Sequence, residues 1–369
     1  MRTNIGFLLG LALLAAPAVC RGGSDPLKVT PTAPFRYVRS FRAASGTIYV
    51  LGPFKTVDAG KTLWLSGPSD PPWGTLLKAD AMNTLFSRKG LFLALQTKVI
   101  CGPAGECKGK MWRSFDDLKT FQEAETRVLI PEAGKVDNGK SGEWAGLFFH
   151  RAIVELRGGS LLAAMYGNFE SDTIAPTNPR SKLETKYKLR AFAVRSSDQG
   201  STWHYLSTVA APDPAAVDDT EGFNEWSIAR LADGRLLGII RTGHYTPMVA
   251  SWSSDEGETW TKPVTPDGLG PGGDPFLLRM SDGRLVLAYG EVAQPAGSRE
   301  AFWKHYSVGA DERRCMLAIN AGGSGRNWTS YTVADYAPTS AYPTIFEVEP
   351  DKIVYQADMH LWRVELPAR

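Results

Sequence analysis

The sequence predicts an all-β fold, and two repeats and one bias in composition predict it. The first repeat is a polar turn closed by an indole, Ser196-Ser197-Asp198-Gln199-Gly200-Ser201-Thr202-Trp203, with the near copy Ser253-Ser254-Asp255-Glu256-Gly257-Glu258-Thr259-Trp260. In such a turn the Asp and Ser side chains bond nearby backbone N–H groups, Gly takes the positive-φ position and Trp packs beneath. Ser114-Phe115-Asp116-Asp117-Leu118-Lys119-Thr120-Phe121 is a looser third copy, and Gly325-Arg326-Asn327-Trp328 keeps the end of a fourth. The second repeat is an apolar strand, a turn and another apolar strand. Its six turns lie at Ser45-Gly46, Lys89-Gly90, Gly158-Gly159, Asp233-Gly234, Asp282-Gly283 and Pro350-Asp351, the last without the Gly. The bias is toward Trp, Gly and Pro, at 11, 37 and 24 residues, which suits short strands joined by turns rather than long helices. One four-stranded sheet per repeat makes the expected fold class a six-bladed β-propeller.

Taken in order, the chain opens on Arg2 and an apolar run from Ile5 to Ala16, followed by Ala16-Pro17-Ala18. This reads as a signal peptide over residues 1–18, with a mature start near Val19, and the run is too short to span a bilayer. An exported, secreted or periplasmic protein is therefore expected. Export allows a disulfide between Cys101 and Cys107, which enclose a short loop, and leaves Cys315 unpaired. One propeller domain is expected over residues 30–366. Too little chain follows the sixth turn for a full sheet, so the segment near Pro34 to Ser40 is expected to complete the last blade and close the ring. Long loops are expected near Thr126 to Glu143 and Glu170 to Lys188.

The formal net charge of +2 and the absence of a block of like charges argue against nucleic acid as a partner. No His or CxxC spacing points to a metal, and no motif points to a cofactor. A small or neutral ligand fits better, and nothing in the pattern sets the oligomeric state.

The innermost strand of each propeller blade lines the axis, so residues at one fixed offset before each turn converge on a ring. Nine positions before the six turn residues stand Tyr37, Ala81, His150, Glu225, Asp274 and Tyr342. Polar and ionisable groups ahead of largely apolar strands point to an axis holding water or a ligand.

The repeated turns resemble the Asp box, or BNR repeat, of the sialidase (neuraminidase) superfamily, whose boxes lie on the blade rim away from the active-site face. The stretch from Asn224 to Arg241 is similar to the sialidase blade that supplies a Glu and, past the turn, an Arg; Glu225 and Arg241 take those places. Ala341-Tyr342-Pro343-Thr344-Ile345-Phe346 resembles the strand bearing that family's Tyr nucleophile, and Arg314 sits where the preceding blade offers another arginine. The resemblance implies an exported glycoside hydrolase acting on a glycan, an exo-α-sialidase with Tyr342 as nucleophile and Glu225 as its base. Arg241 and Arg314 would clamp a sugar carboxylate. The family's first arginine has no counterpart in Ala79-Asp80-Ala81-Met82-Asn83; Arg36, one blade early, and Arg151, one blade late, are the substitutes. For the acid/base group the candidates are Asp274, Asp80 and His150, with Glu170 or Asp172 reaching from a loop. His150 and Tyr37 complete the expected substrate-binding ring. A hydrolase of a uronic or neutral glycan, or a non-catalytic carbohydrate-binding propeller, would use the same fold.

Overall fold

The computed structural model describes residues 27–34, 40–42, 47–50, 54–56, 64–65, 83–102, 105–130, 147–177, 186–213, 220–243, 246–292, 313–337, 343–357 and 360–368. No α-helix occurs among the described residues, and 24 strands do. Four run through a short first meander, β2 (Ser40–Arg42), β3 (Ile48–Val50), β4 (Phe54–Thr56) and β5 (Trp64–Leu65). Then come β6 (Asn83–Phe86), β7 (Phe92–Leu95), β8 (Lys98–Cys101), β9 (Glu106–Ser114) and β10 (Gln122–Leu129). The meander β11 (Leu147–Glu155), β12 (Leu161–Gly167), β13 (Arg190–Ser196) and β14 (Thr202–Ala210) follows. Next are β15 (Trp226–Arg230), β16 (Leu236–Ile240) and β17 (Val249–Ser253), and after them β18 (Gly273–Arg279), β19 (Leu285–Val292), β20 (Arg313–Asn320) and β21 (Thr329–Ala337). The last sheet joins β22 (Thr344–Glu349), β23 (Lys352–Ala357) and β24 (His360–Glu365) to β1 (Lys28–Pro34).

Hydrogen bonding groups these strands into five sheets, where six separate ones were expected. The difference lies in β8, an extra strand after β7, which pairs with β11, and in the parallel pairing of β10 with β14. Together they merge two antiparallel meanders into one nine-stranded sheet. Successive first strands β6, β11, β15, β18 and β22 touch one another in chain order. Closure by the N-terminal segment is present a few residues upstream of the stretch expected: Lys28 pairs with Glu365 and Pro34 with His360. The register breaks between Pro31 and Ala33, where a proline has no N–H to give the ladder.

The first recurring turn, Ser45-Gly46, lies outside the described residues, and four of the other five share one geometry. Gly90, Gly159, Gly234 and Gly283 have φ between +80° and +92°, and each donates its N–H to the carbonyl three residues back, at 3.0–3.1 Å. At the sixth turn Asp351 takes the same left-handed conformation without being glycine, at φ 59°. The polar boxes all fall after the third strand of a meander. Ser196 Oγ donates to Asp198 Oδ1 (2.8 Å) and accepts from Gly200 N (2.9 Å); Asp198 also accepts from Thr202 N, and Trp203 Nε1 donates back to the Gly200 carbonyl. Ser253, Asp255, Gly257, Thr259 and Trp260 repeat these bonds, and Ser114, Asp116, Leu118 and Thr120 repeat the polar part. In the fourth copy Asn320 replaces Ser, accepting from Gly325 N at 3.0 Å.

The box glycines do more than turn the chain. A Cβ on Gly200 would stand 2.8 Å from Leu93, one on Gly257 3.0 Å from Leu162, and one on Gly325 2.4 Å from Leu237. Each box therefore seats its turn on the second strand of a preceding meander. Apolar clusters lie between meanders in the same way: Leu237, Ile239 and Trp252 interleave with Leu287, Tyr289 and Met316, and Val286 and Leu317 with Tyr355 and Trp362. Cys101 and Cys107, paired across β8 and β9, form a disulfide, and Cys315 is a buried thiol outside it.

Candidate active site

Three of the six ring positions are among the described residues, and they converge. One side-chain ligand atom from each of His150, Glu225 and Asp274 lies within 4.8 Å of the others, and all three residues are buried. Tyr37, Tyr342, Arg36 and Asp80 lie outside the described residues. The strands that carry the trio are distorted where they reach it. β11 shifts register between Phe149 and Ile153, β18 between Gly273 and Phe276, and Arg151 and Asp274 hold φ of 59° and 54°. Left-handed backbone at a buried non-glycine residue is strained, and such strain persists where surrounding contacts over-determine it.

A line of charges runs through the trio. Glu225 Oε2 accepts from Arg241 Nη1 at 2.8 Å and from the backbone N–H of Asp274 at 2.9 Å. Arg241 Nη2 donates to Glu221 Oε2 at 3.1 Å, and Arg313 Nη1 donates to Asp274 Oδ2 at 3.0 Å. Glu221, Glu225, Arg241 and Asp274 are each under a tenth exposed. Burial opposes ionisation of Glu225, but Arg241 and the bond from Asp274 outweigh it and hold the carboxyl well below the usual range. Asp274 goes the other way. Burial and the neighbouring Glu225 carboxylate push it up to about 7, against the pull of Arg313 and Arg241. Of the two adjacent carboxyls, Asp274 is thus the one that takes up a proton first as pH falls.

His150 faces the pair as a neutral ring. Its Nδ1 lies 3.2 Å from the Trp226 carbonyl, an acceptor only, so the proton sits on Nδ1, and burial lowers the pKa to about 3. Tyr166 meets the imidazole edge-on and stacks on Phe148. Arg151 ties its own strand to three others: its N–H donates to Asn83 Oδ1 (2.5 Å), its Nη1 to Thr344 Oγ1 (3.1 Å), and its guanidinium stands over Phe276. Thr344 follows Tyr342 by two residues.

Arg314 is placed elsewhere. Its Nη1 lies 3.7 Å from Glu291 across the β19–β20 ladder, and its side chain is a third exposed. Successive side chains on a strand point to opposite faces, so Arg313 rather than Arg314 meets Asp274. Of the loop candidates, Asp172 is committed to Arg190 in a bond of 2.5 Å, and Glu170 is exposed. Sequence reasoning missed Glu221, Arg313 and Asn83. Glu221 is set by a tight contact: its loop lies against Leu189, and a Cβ on Gly222 would stand 2.3 Å from the Leu189 carbonyl oxygen. His150, Glu225 and Asp274 have the spacing to offer three ligands to one cation. Arg241 and Arg313 already stand against both carboxylates, so the cluster suits a proton better than a divalent charge.

The class of protein is an all-β propeller with a buried ionisable cluster where its first strands meet. The model of the BNR repeat-like domain matches residues 74–354, and the chain belongs to that family. None of the curated proteins matches it. Among solved structures, a Dyadobacter fermentans protein of unknown function superposes with a TM-score of 0.59 at 17% identity, covering 92% of this chain and 99% of that one. A Hadza microbial sialidase gives 0.54 at 14%, covering 89% of this chain and 65% of its own. A Penicillium chrysogenum α-L-arabinanase complexed with arabinobiose gives 0.53 at 13%, covering 91% and 98%. At these identities the likeness is one of fold.

Proposed function

We propose that this chain is an exported glycoside hydrolase of sialidase type, built as one six-bladed propeller over residues 30–366, with the nine-stranded sheet counted as two blades. The observation that carries the reading is the buried Glu225–Asp274 pair beside His150, with Arg241 bonded to Glu225 and Arg313 to Asp274. Their oxygens are closer than the roughly 5–5.5 Å of a retaining two-carboxylate glycosidase and far closer than the roughly 6.5–9.5 Å of an inverting one. A pair so close does not flank a sugar by itself. A tyrosine standing between Glu225 and the anomeric carbon supplies the missing reach, and Tyr342 is the residue assigned to it. Its hydroxyl gives a proton to Glu225 as its oxygen bonds the anomeric carbon and the glycosidic C–O bond breaks. Asp274 is assigned as proton donor to the leaving oxygen; water then gives a proton to Asp274 as its oxygen bonds the anomeric carbon, and the tyrosine oxygen leaves and takes its proton back from Glu225.

A second reading, a neutral glycan such as an arabinoside, is favoured by Arg241, whose two terminal nitrogens already face Glu225 and Glu221. That leaves Arg151 and Arg36 to meet a substrate carboxylate. A panel of fluorogenic sialoside, arabinofuranoside, galactoside and glucuronide substrates separates the readings. Turnover of the sialoside that disappears in Tyr342→Phe supports the first, and turnover of a neutral glycoside alone supports the second. Binding on a glycan array with no turnover of any substrate would replace both with a carbohydrate-binding propeller.

A further inference from the structure

The pair of adjacent arginines that opens β20 divides its work. Arg314 lies against Glu291 with a third of its side chain in solvent, whereas Arg313, much more enclosed, crosses to a different strand and bonds Asp274. Asp274 is fixed from several sides. Its backbone N–H is held by Glu225, which Arg241 holds in turn; its Oδ2 is held by Arg313; His150 on β11 closes the cluster. Its own backbone is strained at φ 54°, so the aspartate does not rest there by local preference. We propose that Arg313 is a positioning residue of this site: it anchors the Asp274 carboxyl beside Glu225 and sets the pH at which the pair gives up its proton.

The argument is one of charge. Glu221, Arg241, Glu225, Asp274 and Arg313 form one hydrogen-bonded line in which two like groups, Glu225 and Asp274, adjoin at the Asp274 backbone N–H, and Arg313 is the cation in direct contact with the Asp274 carboxyl. Without Arg313, only Arg241, which is bonded to Glu225 and Glu221, offsets the repulsion of Glu225 on Asp274, and the proton is held more tightly. Lysine keeps the charge but loses the planar fork, so it restores part of the effect. Arg314, next in sequence and on the other face, has no such role.

The inference rests on the hydrolase reading for its catalytic meaning, but its test needs no substrate. The infrared carbonyl band of the protonated Asp274 carboxyl, assigned by its loss in Asp274→Asn, is followed against pH in the folded protein. In the unaltered chain the band is expected to fade as pH rises through neutrality. In Arg313→Gln its midpoint is expected to rise by at least about one pH unit, a tenfold tighter proton. Arg313→Lys should fall between the two, and Arg314→Gln should match the unaltered chain. An unmoved midpoint in Arg313→Gln, or an equal shift in Arg314→Gln, overturns the proposal. If Arg313→Gln does not fold, an Arg313→Lys midpoint identical to that of the unaltered chain overturns it instead. A band that behaves as expected in a protein that turns over no glycoside leaves Arg313 in place and removes the hydrolase reading.

Discussion

The rim and the axis of this molecule are both built from polar residues, but in opposite ways. On the rim, Ser196, Asp198, Gly200, Thr202 and Trp203 bond one another within eight residues, and the same bonds recur at Ser253 to Trp260. On the axis, Glu221, Arg241, Asp274 and Arg313 reach across two meanders, and their bonds join residues that are 16 to 49 positions apart. A local network can be copied because each copy carries its own partners. A non-local one exists once, its members are buried and interdependent, and it is where a reaction can be placed.

Breaking the axis should therefore cost function first. Tyr342→Phe and Glu225→Gln are each expected to lower turnover by about 10²–10⁴-fold, with Tyr342→Phe leaving the thermal midpoint unchanged; steady-state kinetics beside a thermal melt separates the two effects. Arg241→Met should cost about 3–5 kcal/mol of stability, because it leaves Glu221 and Glu225 buried without their cation. Urea unfolding measures it, and a loss below about 1 kcal/mol would mean that the two carboxyls take up protons at no cost.

The rim should break more gently and piece by piece. Asp198→Ala and Asp255→Ala each remove charge-assisted bonds from a turn and are expected to cost about 1–2 kcal/mol. Since the two aspartates bond different residues, each within its own turn, the double variant should equal the sum to within about 0.5 kcal/mol. Glu221→Gln combined with Arg241→Met, on the axis, should depart from additivity by more than that in the same urea experiment.

The smallest effect expected is a slope. His150, lowered to about 3 from 6.5, binds fewer protons when folded, so it makes stability rise with pH across that window. Asp274, raised from 3.8 to about 7, binds more protons when folded and makes stability fall with rising pH over its own window. Where the windows overlap the two oppose each other. Asp274→Asn removes one of them, so its stability should climb more steeply than that of the unaltered chain between about pH 4 and 6.5, by up to about 1.4 kcal/mol per unit. Urea midpoints at three pH values across that range check the sign.

The same contrast explains what could be read from the residues alone. The boxes and turns were legible because their chemistry is local: Gly234 and Gly283 announce a left-handed turn without knowledge of any partner. The offset of nine from those turns was enough to bring His150, Glu225 and Asp274 together. Arg313 was not legible beside Arg314, because a one-residue register decides which of two arginines faces inward and no periodicity in Glu312-Arg313-Arg314-Cys315 fixes it. Glu221 was hidden for another reason: it sits in a loop whose path depends on Gly222 resting against Leu189, a contact between distant segments. The merger of two meanders through β8 and β10 depends on pairings of strand edges, which alternation patterns do not encode.

The pairing of β1 with β24 carries a consequence for how the chain is made. Lys28 and Glu365 are 337 positions apart, so at about 5–20 residues per second a ribosome finishes β24 roughly 20–70 s after β1. During that interval the first strand has no mate. An unpaired edge held open that long invites pairing with a neighbouring nascent chain. Pro31 and Pro34 interrupt the donor row of β1 and blunt it as a template, so the strand that must wait longest is also the one least able to pair wrongly while it waits.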